Sequence, residues 1–342
     1  MSAIDSVTIE LPSRASMSLR VADAFGRRMI RPSLDAIARL ACRRPLRGAP
    51  AFRIANLAAL VTVPLRAPRG TRRRALRFAD FRAEWLWHKA IAGPDDVTGG
   101  AILYFHGGGF VTGGLHSHRR IAGRISGAAG IPLLNVDYRQ LPAAHITETV
   151  ADALHAYEHL LRIGFDPNRI VFAGDSAGGG LTFAAALAAR ERGLPMPGGI
   201  AAIAPWADLD PARRLAHPND RKDAVLSAFT LSVPALIGFA AGGDLDPRWS
   251  PVNHDFAGLP PVFIQVGSTE VLLADAEQLA QRCRDGAVPC TVQMWDRALH
   301  VFQAGADILP DARAAIADMG RTIRAFVDAD AVPLPTGHST AA

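Results

Sequence analysis

From about residue 100 to residue 294 the sequence alternates short runs of β-branched and apolar residues with stretches of helical periodicity, which restricts the chain to few architectures. Ala101 to Phe105, Pro132 to Tyr138, Arg169 to Ala173, Gly199 to Ala204, Pro261 to Val266 and Thr291 to Met294 read as strands. Between them Thr147 to Arg162, Ala177 to Arg192 and Leu273 to Arg284 read as helices closed by Gly or Pro signals. Strand and helix in alternation imply an α/β fold: a doubly wound, mostly parallel sheet with helices on both faces. A weaker pair around Arg74 to Ala79 and Phe81 to His88 starts the sheet, so eight strands are predicted.

Two segments break the alternation. Residues 1–65 look helical and basic, and residues 205–258 carry Pro and Asp breaks around the uncharged run Ala224 to Gly243. Insertions in such sheets gather at the carboxyl ends of the strands, where ligands bind, so both segments are expected to form a helical cap over that edge. The predicted division is a core of residues 66–204 and 259–331, cap helices over 1–65, a cap insertion over 205–258 and a disordered Pro, Gly, Ser and Thr rich tail over 332–342. The run Ala224 to Gly243 has the length of a membrane span. Ser227, Thr230, Ser232 and Pro234 dilute it, and Leu226, Phe229, Val233, Leu236 and Ile237 are spaced as one helical face. A helix covering an apolar cleft is expected there, not stable membrane insertion.

The net charge of +5 and pI near 9.6 raise the question of nucleic acid or anionic surfaces. The charge is split, however: residues 1–90 hold 18 Lys and Arg against 6 Asp and Glu, leaving −7 for residues 91–342. Almost all of the cations are Arg, with Lys only at Lys89 and Lys222. Together with abundant Ala and Gly this reads as codon bias, so no nucleic-acid partner is expected. Cys42, Cys283 and Cys290 are too few for a disulfide framework, and the first thirty residues lack a secretory pattern. A cytoplasmic location is expected, and a homodimer is compatible with the sequence.

The chemistry concentrates at strand ends. Gly174-Asp175-Ser176-Ala177-Gly178 follows the strand at Arg169 to Ala173 and opens a helix. A nucleophile on such a turn sits in strained backbone, and glycines on either side remove side chains that would clash. The following helix also presents its positive end to developing negative charge at Ser176. The plainer alternative is a Gly-rich helix start with a capping Ser. His106-Gly107-Gly108-Gly109-Phe110 follows the strand Ala101 to Phe105, where bare N–H groups can point at an oxyanion, with the N–H of Ala177 as a further donor. A plain turn or phosphate nest is the alternative, but no Lys with Ser or Thr follows the glycines.

A serine nucleophile needs a base, and the base an orienting carboxylate, in the order Ser, acid, His for this kind of sheet. His338 lies in the tail, His217 among insertion breaks and His254 ahead of the strand that delivers the acid, which leaves His300. Glu270, just past the strand ending at Val266, is the preferred acid, with Asp275 and Asp296 as competitors. His155-Ala156-Tyr157-Glu158-His159 matches an inverted zinc-protease pattern. The buried stripe of Val150, Ala153, Leu154, Tyr157, Leu160 and Leu161 puts its His155, Glu158 and His159 on the solvated face, so no metal is expected.

Together these residues resemble the α/β-hydrolase superfamily, and within it the hormone-sensitive-lipase-like branch of bacterial carboxylesterases. The likeness spans about residues 70 to 330. It rests on the two glycine motifs, Val136-Asp137-Tyr138-Arg139, Pro205-Trp206-x-Asp208, Trp249-Ser250-Pro251 before Leu259-Pro260-Pro261, and Leu299-His300-Val301-Phe302. The resemblance implies a triad of Ser176, Glu270 and His300, an oxyanion hole from Gly108, Gly109 and Ala177, a cap and no cofactor. The segment Val266 to Leu272 with Glu270 looks most like members acting on lactones and acetyl esters, including monoterpene ε-lactone hydrolases. After Tyr138-Arg139 the family's Leu-Ala-Pro-Glu segment is replaced by Gln140-Leu141-Pro142-Ala143-Ala144, which lacks the acid.

The expected function is that of a serine carboxylic-ester hydrolase, a carboxylesterase or lactonase, taking short- to medium-chain acyl esters or lactones through an acyl-enzyme. Phe110, Trp206, Phe229 and Phe302 either line an apolar acyl pocket or are plain core. The rivals are an amide or peptide hydrolase on the same triad and a non-catalytic ligand-binding protein of the same fold. Retention of His300 favours the enzyme.

Overall fold

The structure, a computed structural model, describes residues 6–43, 45–61, 66–240 and 243–329. Among these residues nine strands form one sheet: β1 Val7–Glu10, β2 Thr71–Arg77, β3 Arg82–His88, β4 Ala101–Phe105, β5 Leu133–Asp137, β6 Ile170–Asp175, β7 Gly199–Ile203, β8 Val262–Gly267 and β9 Cys290–Trp295. Their order is β1-β9-β8-β7-β6-β4-β5-β3-β2. The pairs β2–β3 and β3–β5 are antiparallel and all others parallel. The central strands β4, β6, β7 and β8 are buried throughout, as expected of strands covered on both faces, whereas the arginine-rich edge β2 is largely exposed.

The expected eight strands fall short by one. Val7–Glu10 runs parallel to β9, from Val7 opposite Cys290 to Glu10 opposite Gln293. Val7-Thr8-Ile9 is a β-branched run, but it is short and only Val7 is buried, so the alternation of a half-buried strand is missing; this four-residue edge strand works by giving β9 a partner, not by filling the core.

The helices are α1 Met17–Phe25, α2 Arg31–Ala41, α3 Ala49–Val61, α4 Leu115–Ala129, α5 Ile146–Arg162, α6 Ala177–Glu191, α7 Ala212–Ala216, α8 Ala228–Val233, α9 Leu273–Asp285 and α10 Pro310–Asp328. Alternate residues of β4 sort the core: Leu103 and Phe105 join Leu154, Tyr157 and Leu181 of α5 and α6, while Ile102 and Tyr104 join Ile121, Ile125, Met319 and Ile323 of α4 and α10. Each such aliphatic side chain contributes about 1.5–3 kcal/mol through burial.

The uncharged run Ala224 to Gly243 is not one long helix. Ser227 caps α8 by accepting from the Thr230 amide, and α8 ends after six residues at Pro234, which has no N–H to give; a wider π turn, Pro234–Phe239, follows. No helix among the described residues is long and apolar enough to cross a membrane. The predicted tail over residues 332–342 lies outside the described residues.

Candidate active site

Ser176 stands between β6 and α6 with φ 54° and ψ −122°, a strained left-handed turn. Its amide donates to Ile203 O at 2.8 Å, and its carbonyl accepts from Gly180 and Trp206 amides at 3.0 and 2.9 Å, so the turn is tied on both sides. A Cβ at Gly178 would lie 2.0 Å from Phe105 O, which is why α6 can start so close to β4 only with glycine there.

The glycine loop runs beside this turn. Gly108 has φ 121° and Gly109 φ 65°, and a Cβ at Gly108 would sit 2.0 Å from Thr112 O. The Gly108 carbonyl accepts from Val111 and Thr112 at 3.1 and 3.0 Å, so the loop curls back on itself. Among the described residues the amides of Gly108, Gly109 and Ala177 donate to no protein acceptor, leaving them free for an incoming oxygen.

His300 Nε2 lies 2.9 Å from Ser176 Oγ, and His300 Nδ1 lies 2.8 Å from Glu270 Oε2. Three sequence-distant loops, after β6, β8 and β9, thus converge in one line of hydrogen bonds. With the proton on Nδ1 facing Glu270, Nε2 is left to accept the Ser176 hydroxyl. Burial pushes the Glu270 carboxyl above its ordinary range, against the opposing hydrogen bond from His300. For His300 burial alone would lower the value, but the Glu270 hydrogen bond and charge outweigh it and leave the imidazole raised. Glu270 Oε1 also accepts the Gly267 amide at 2.7 Å, which fixes the carboxylate plane.

Both competitor acids are engaged elsewhere. Asp275, fully buried, pairs with the equally buried Arg214 at 3.0 Å and accepts the Ala207 and Asp208 amides. Asp296 accepts the Ala15 amide at 3.0 Å.

Comparison with known proteins decides the family. Residues 102–304 match the model of a family described as having the alpha/beta hydrolase fold. Esterase LipU of Mycobacterium tuberculosis is 38% identical over 237 residues, covering 68% of this chain and 80% of that protein. An acetyl-hydrolase of Streptomyces hygroscopicus is 36% identical over 242 residues, covering 71% and 79%. The chain belongs to the α/β-hydrolase family. Within it the chain falls in the hormone-sensitive-lipase-like branch of bacterial carboxylesterases. A solved esterase from the bacterial hormone-sensitive lipase family superposes with TM-score 0.74 at 32% identity, covering 86% of this chain and 98% of that one. EstE5, soaked with p-nitrophenyl butyrate, superposes with TM-score 0.79 at 30% identity, covering 92% and 99%.

Of the aromatic positions of this α/β-hydrolase, Phe110 and Trp206 are buried in the main core cluster. Phe110, directly after Gly109, packs 5.6 Å from Trp206 and 5.8 Å from Phe239. Phe239 lies on the π turn Pro234–Phe239, off the helical face of Leu226 to Ile237, so helical periodicity does not reveal it. Phe229 is partly exposed on α8. Phe302 takes the core alternative: it packs with Trp295, Leu19 and Leu309 in a separate cluster.

Other supporting groups also escaped sequence reasoning. Asp175 accepts from the Tyr104 hydroxyl and the Gly107 amide, and lies 3.3 Å from His118 Nε2. Burial opposes its charge, but His118 and the Tyr104 hydroxyl overcome that and hold the carboxyl below its ordinary range. His106 stacks on Tyr138 at 4.2 Å, and burial, aided by His118, pushes its imidazole down to about 4, so it is neutral. Asp223 Oδ2 accepts the Val271 amide at 2.7 Å, and Asn219 donates to the carbonyls of Ser268 and Glu270 at 3.0 Å each, so residues of the 205–258 segment brace the loop carrying the acid. Where the acid of the Leu-Ala-Pro-Glu segment is missing, Gln140 instead bonds Asn56 at 3.2 Å, and Asn56 donates to Leu141 O at 2.8 Å, which joins this loop to α3. In the His155 to His159 pattern, His155 is exposed, Glu158 pairs with Arg192 at 3.5 Å and His159 edges onto Phe78.

Proposed function

We propose that the protein hydrolyses short- to medium-chain carboxylic esters or lactones with Ser176 as nucleophile, His300 as base and Glu270 as its orienting carboxylate. The observation that carries this reading is the unbroken chain Ser176 Oγ to His300 Nε2 at 2.9 Å and His300 Nδ1 to Glu270 Oε2 at 2.8 Å. Ser176 Oγ attacks the ester carbonyl as its proton passes to Nε2, and the oxyanion is received by the amides of Gly108, Gly109 and Ala177. Collapse expels the alcohol, which takes the proton from Nε2. Water then enters, gives its proton to Nε2 and releases the acid from the acyl-enzyme, restoring Ser176. In a lactone the alcohol and the acid remain one molecule.

A small acyl group is supported by the acetyl-hydrolase relative and by the neighbour soaked with a butyrate ester. The helices α1 to α3 and the segment 205–258 act as the cap, whereas Val7–Glu10, predicted as part of it, belongs to the sheet; the assignment is supported by Asp35 accepting from Ser227 and Thr230 and by the bracing of the Glu270 loop from Asn219 and Asp223. The lack of a disulfide framework supports a cytoplasmic setting.

The test is hydrolysis of p-nitrophenyl esters from acetate to dodecanoate by the wild type and Ser176→Ala. The substitution should lower kcat by at least about 10⁴-fold, with the short esters preferred in the wild type. Full activity in the variant would remove Ser176 from the chemistry. Turnover of anilides in place of esters would select the amide-hydrolase alternative.

A further inference from the structure

The first helices carry a surface that ester hydrolysis does not explain. α1, the π turn Gly26–Ile30 and α2 form one continuous helical run. Its inner side buries Leu19, Asp23 and Gly26, and a Cβ at Gly26 would stand 3.0 Å from Leu299, the neighbour of His300. Its outer side presents Met17, Val21, Phe25 and Met29 at four-residue spacing, continued by Ile37 and Leu40, each more than half exposed. Single exposed apolar residues are ordinary, but six along one helical run form an interaction surface.

The charge around the stripe identifies what it meets. Every exposed charged side chain described between residues 11 and 57 is arginine. The two carboxylates of this segment are occupied: Asp23 is buried and bound by Arg27, and Asp35 accepts from Ser227 and Thr230. We propose that this face docks on an anionic phospholipid surface, with the apolar stripe at the acyl boundary and the guanidinium groups among the headgroup phosphates. A two-fold contact with a second copy would set arginine against arginine. A nucleic acid would meet the arginines and leave the stripe in water. Docking holds the His300 loop within about one helix diameter of the lipid surface, since the run packs directly on it.

The experiment is sedimentation of the full chain with vesicles of phosphatidylcholine alone or mixed with phosphatidylglycerol, and it does not depend on the catalytic reading. The protein should partition onto the anionic vesicles at low salt, ignore the neutral ones and be released at about 1 M salt, where the screening length shrinks to about 3 Å. Arg28→Gln with Arg39→Gln and Arg43→Gln should weaken partitioning by about fivefold per arginine. Phe25→Ser with Met29→Ser should weaken it at least about tenfold while turnover of p-nitrophenyl butyrate and the circular dichroism spectrum stay unchanged. Failure to bind anionic vesicles at low salt, or binding indifferent to the arginine substitutions, overturns the proposal. So does a wild-type dimer that Phe25→Ser converts to monomer, because the stripe is then covered by a second copy.

Discussion

The carboxylate of Asp175 accepts the amide hydrogen of Gly107 at 3.1 Å across 68 residues of sequence. One of these residues immediately precedes the serine and the other opens the glycine loop, so the turn that aims Ser176 and the loop that offers its amides are joined by a buried hydrogen bond. Tyr104, from inside β4, donates to the same carboxylate. The Ser176 turn and the glycine loop are therefore placed relative to each other by a carboxylate that makes no hydrogen bond to Ser176 Oγ or His300.

Asp175→Asn keeps the side-chain shape but removes the charge that holds His118 and the Tyr104 hydroxyl. A displacement of about 1 Å at a reacting centre costs about 10²-fold, and a partial loosening should lower kcat by about 10–10²-fold with KM little changed. Steady-state kinetics on p-nitrophenyl butyrate decide it, and an unchanged kcat would mean that the loop holds its position without this tie. Tyr104→Phe, which deletes one donor, should show a smaller loss in the same direction.

The pH dependence follows from the raised His300. As base the imidazole must be neutral, so kcat/KM should fall as the medium becomes more acidic than the imidazole's pKa, which lies above the ordinary 6.5. Glu270→Gln removes the charge that raises it and leaves the burial that lowers it, so the acid limb should move to lower pH while kcat drops. A limb that stays in place in Glu270→Gln, or moves upward, would show that Glu270 does not set the imidazole.

The hydrogen-bonded line of Ser176, His300 and Glu270 is legible in the sequence because each member follows a strand whose apolar run is unmistakable: Ser176 after β6, Glu270 after β8, His300 after β9. Asp275 is a case where position alone separated a competitor from the acid, and the buried Arg214 supplies the physical reason. What stayed hidden had no periodic signature. β1 buries only Val7, and Phe239 sits on a π turn that neither a period of 3.6 nor one of 2 reveals. Asp223 and Asn219 brace the Glu270 loop from 48 and 51 residues upstream, a contact that exists only once the insertion folds back.

Gly108→Ala tests the oxyanion loop without touching a side chain of the triad. At φ 121° an alanine is strained, and its Cβ would meet Thr112 O at 2.0 Å, so the loop must move and the Gly108 and Gly109 amides with it. Loss of one oxyanion donor costs about 10²–10³-fold in turnover, and that is the expected fall in kcat. Labelling of Ser176 by a fluorophosphonate should slow in parallel because it builds the same charge, whereas unimpaired kcat would place the oxyanion elsewhere.

The Arg214–Asp275 pair is a stability element, and its variants should separate from those of the site. Both side chains are fully buried, and Asp275 also satisfies the Ala207 and Asp208 amides just after β7. Burial pushes the Asp275 carboxyl above its ordinary range even against the opposing charge of Arg214, so its environment is costly for any lone charge. Asp275→Ala strands a buried guanidinium and two amides, and should destabilise the fold by about 3–5 kcal/mol in urea unfolding. Replacing both, Arg214→Met with Asp275→Leu, removes the charges together, so the loss should be smaller than for Asp275→Ala alone. If the double variant is the less stable of the two, the pair is a net stabilising interaction and the stranded-charge explanation fails. At a temperature where the variants remain folded, their kcat on p-nitrophenyl butyrate should stay within a few-fold of wild type, unlike that of any substitution at Ser176, Glu270 or His300.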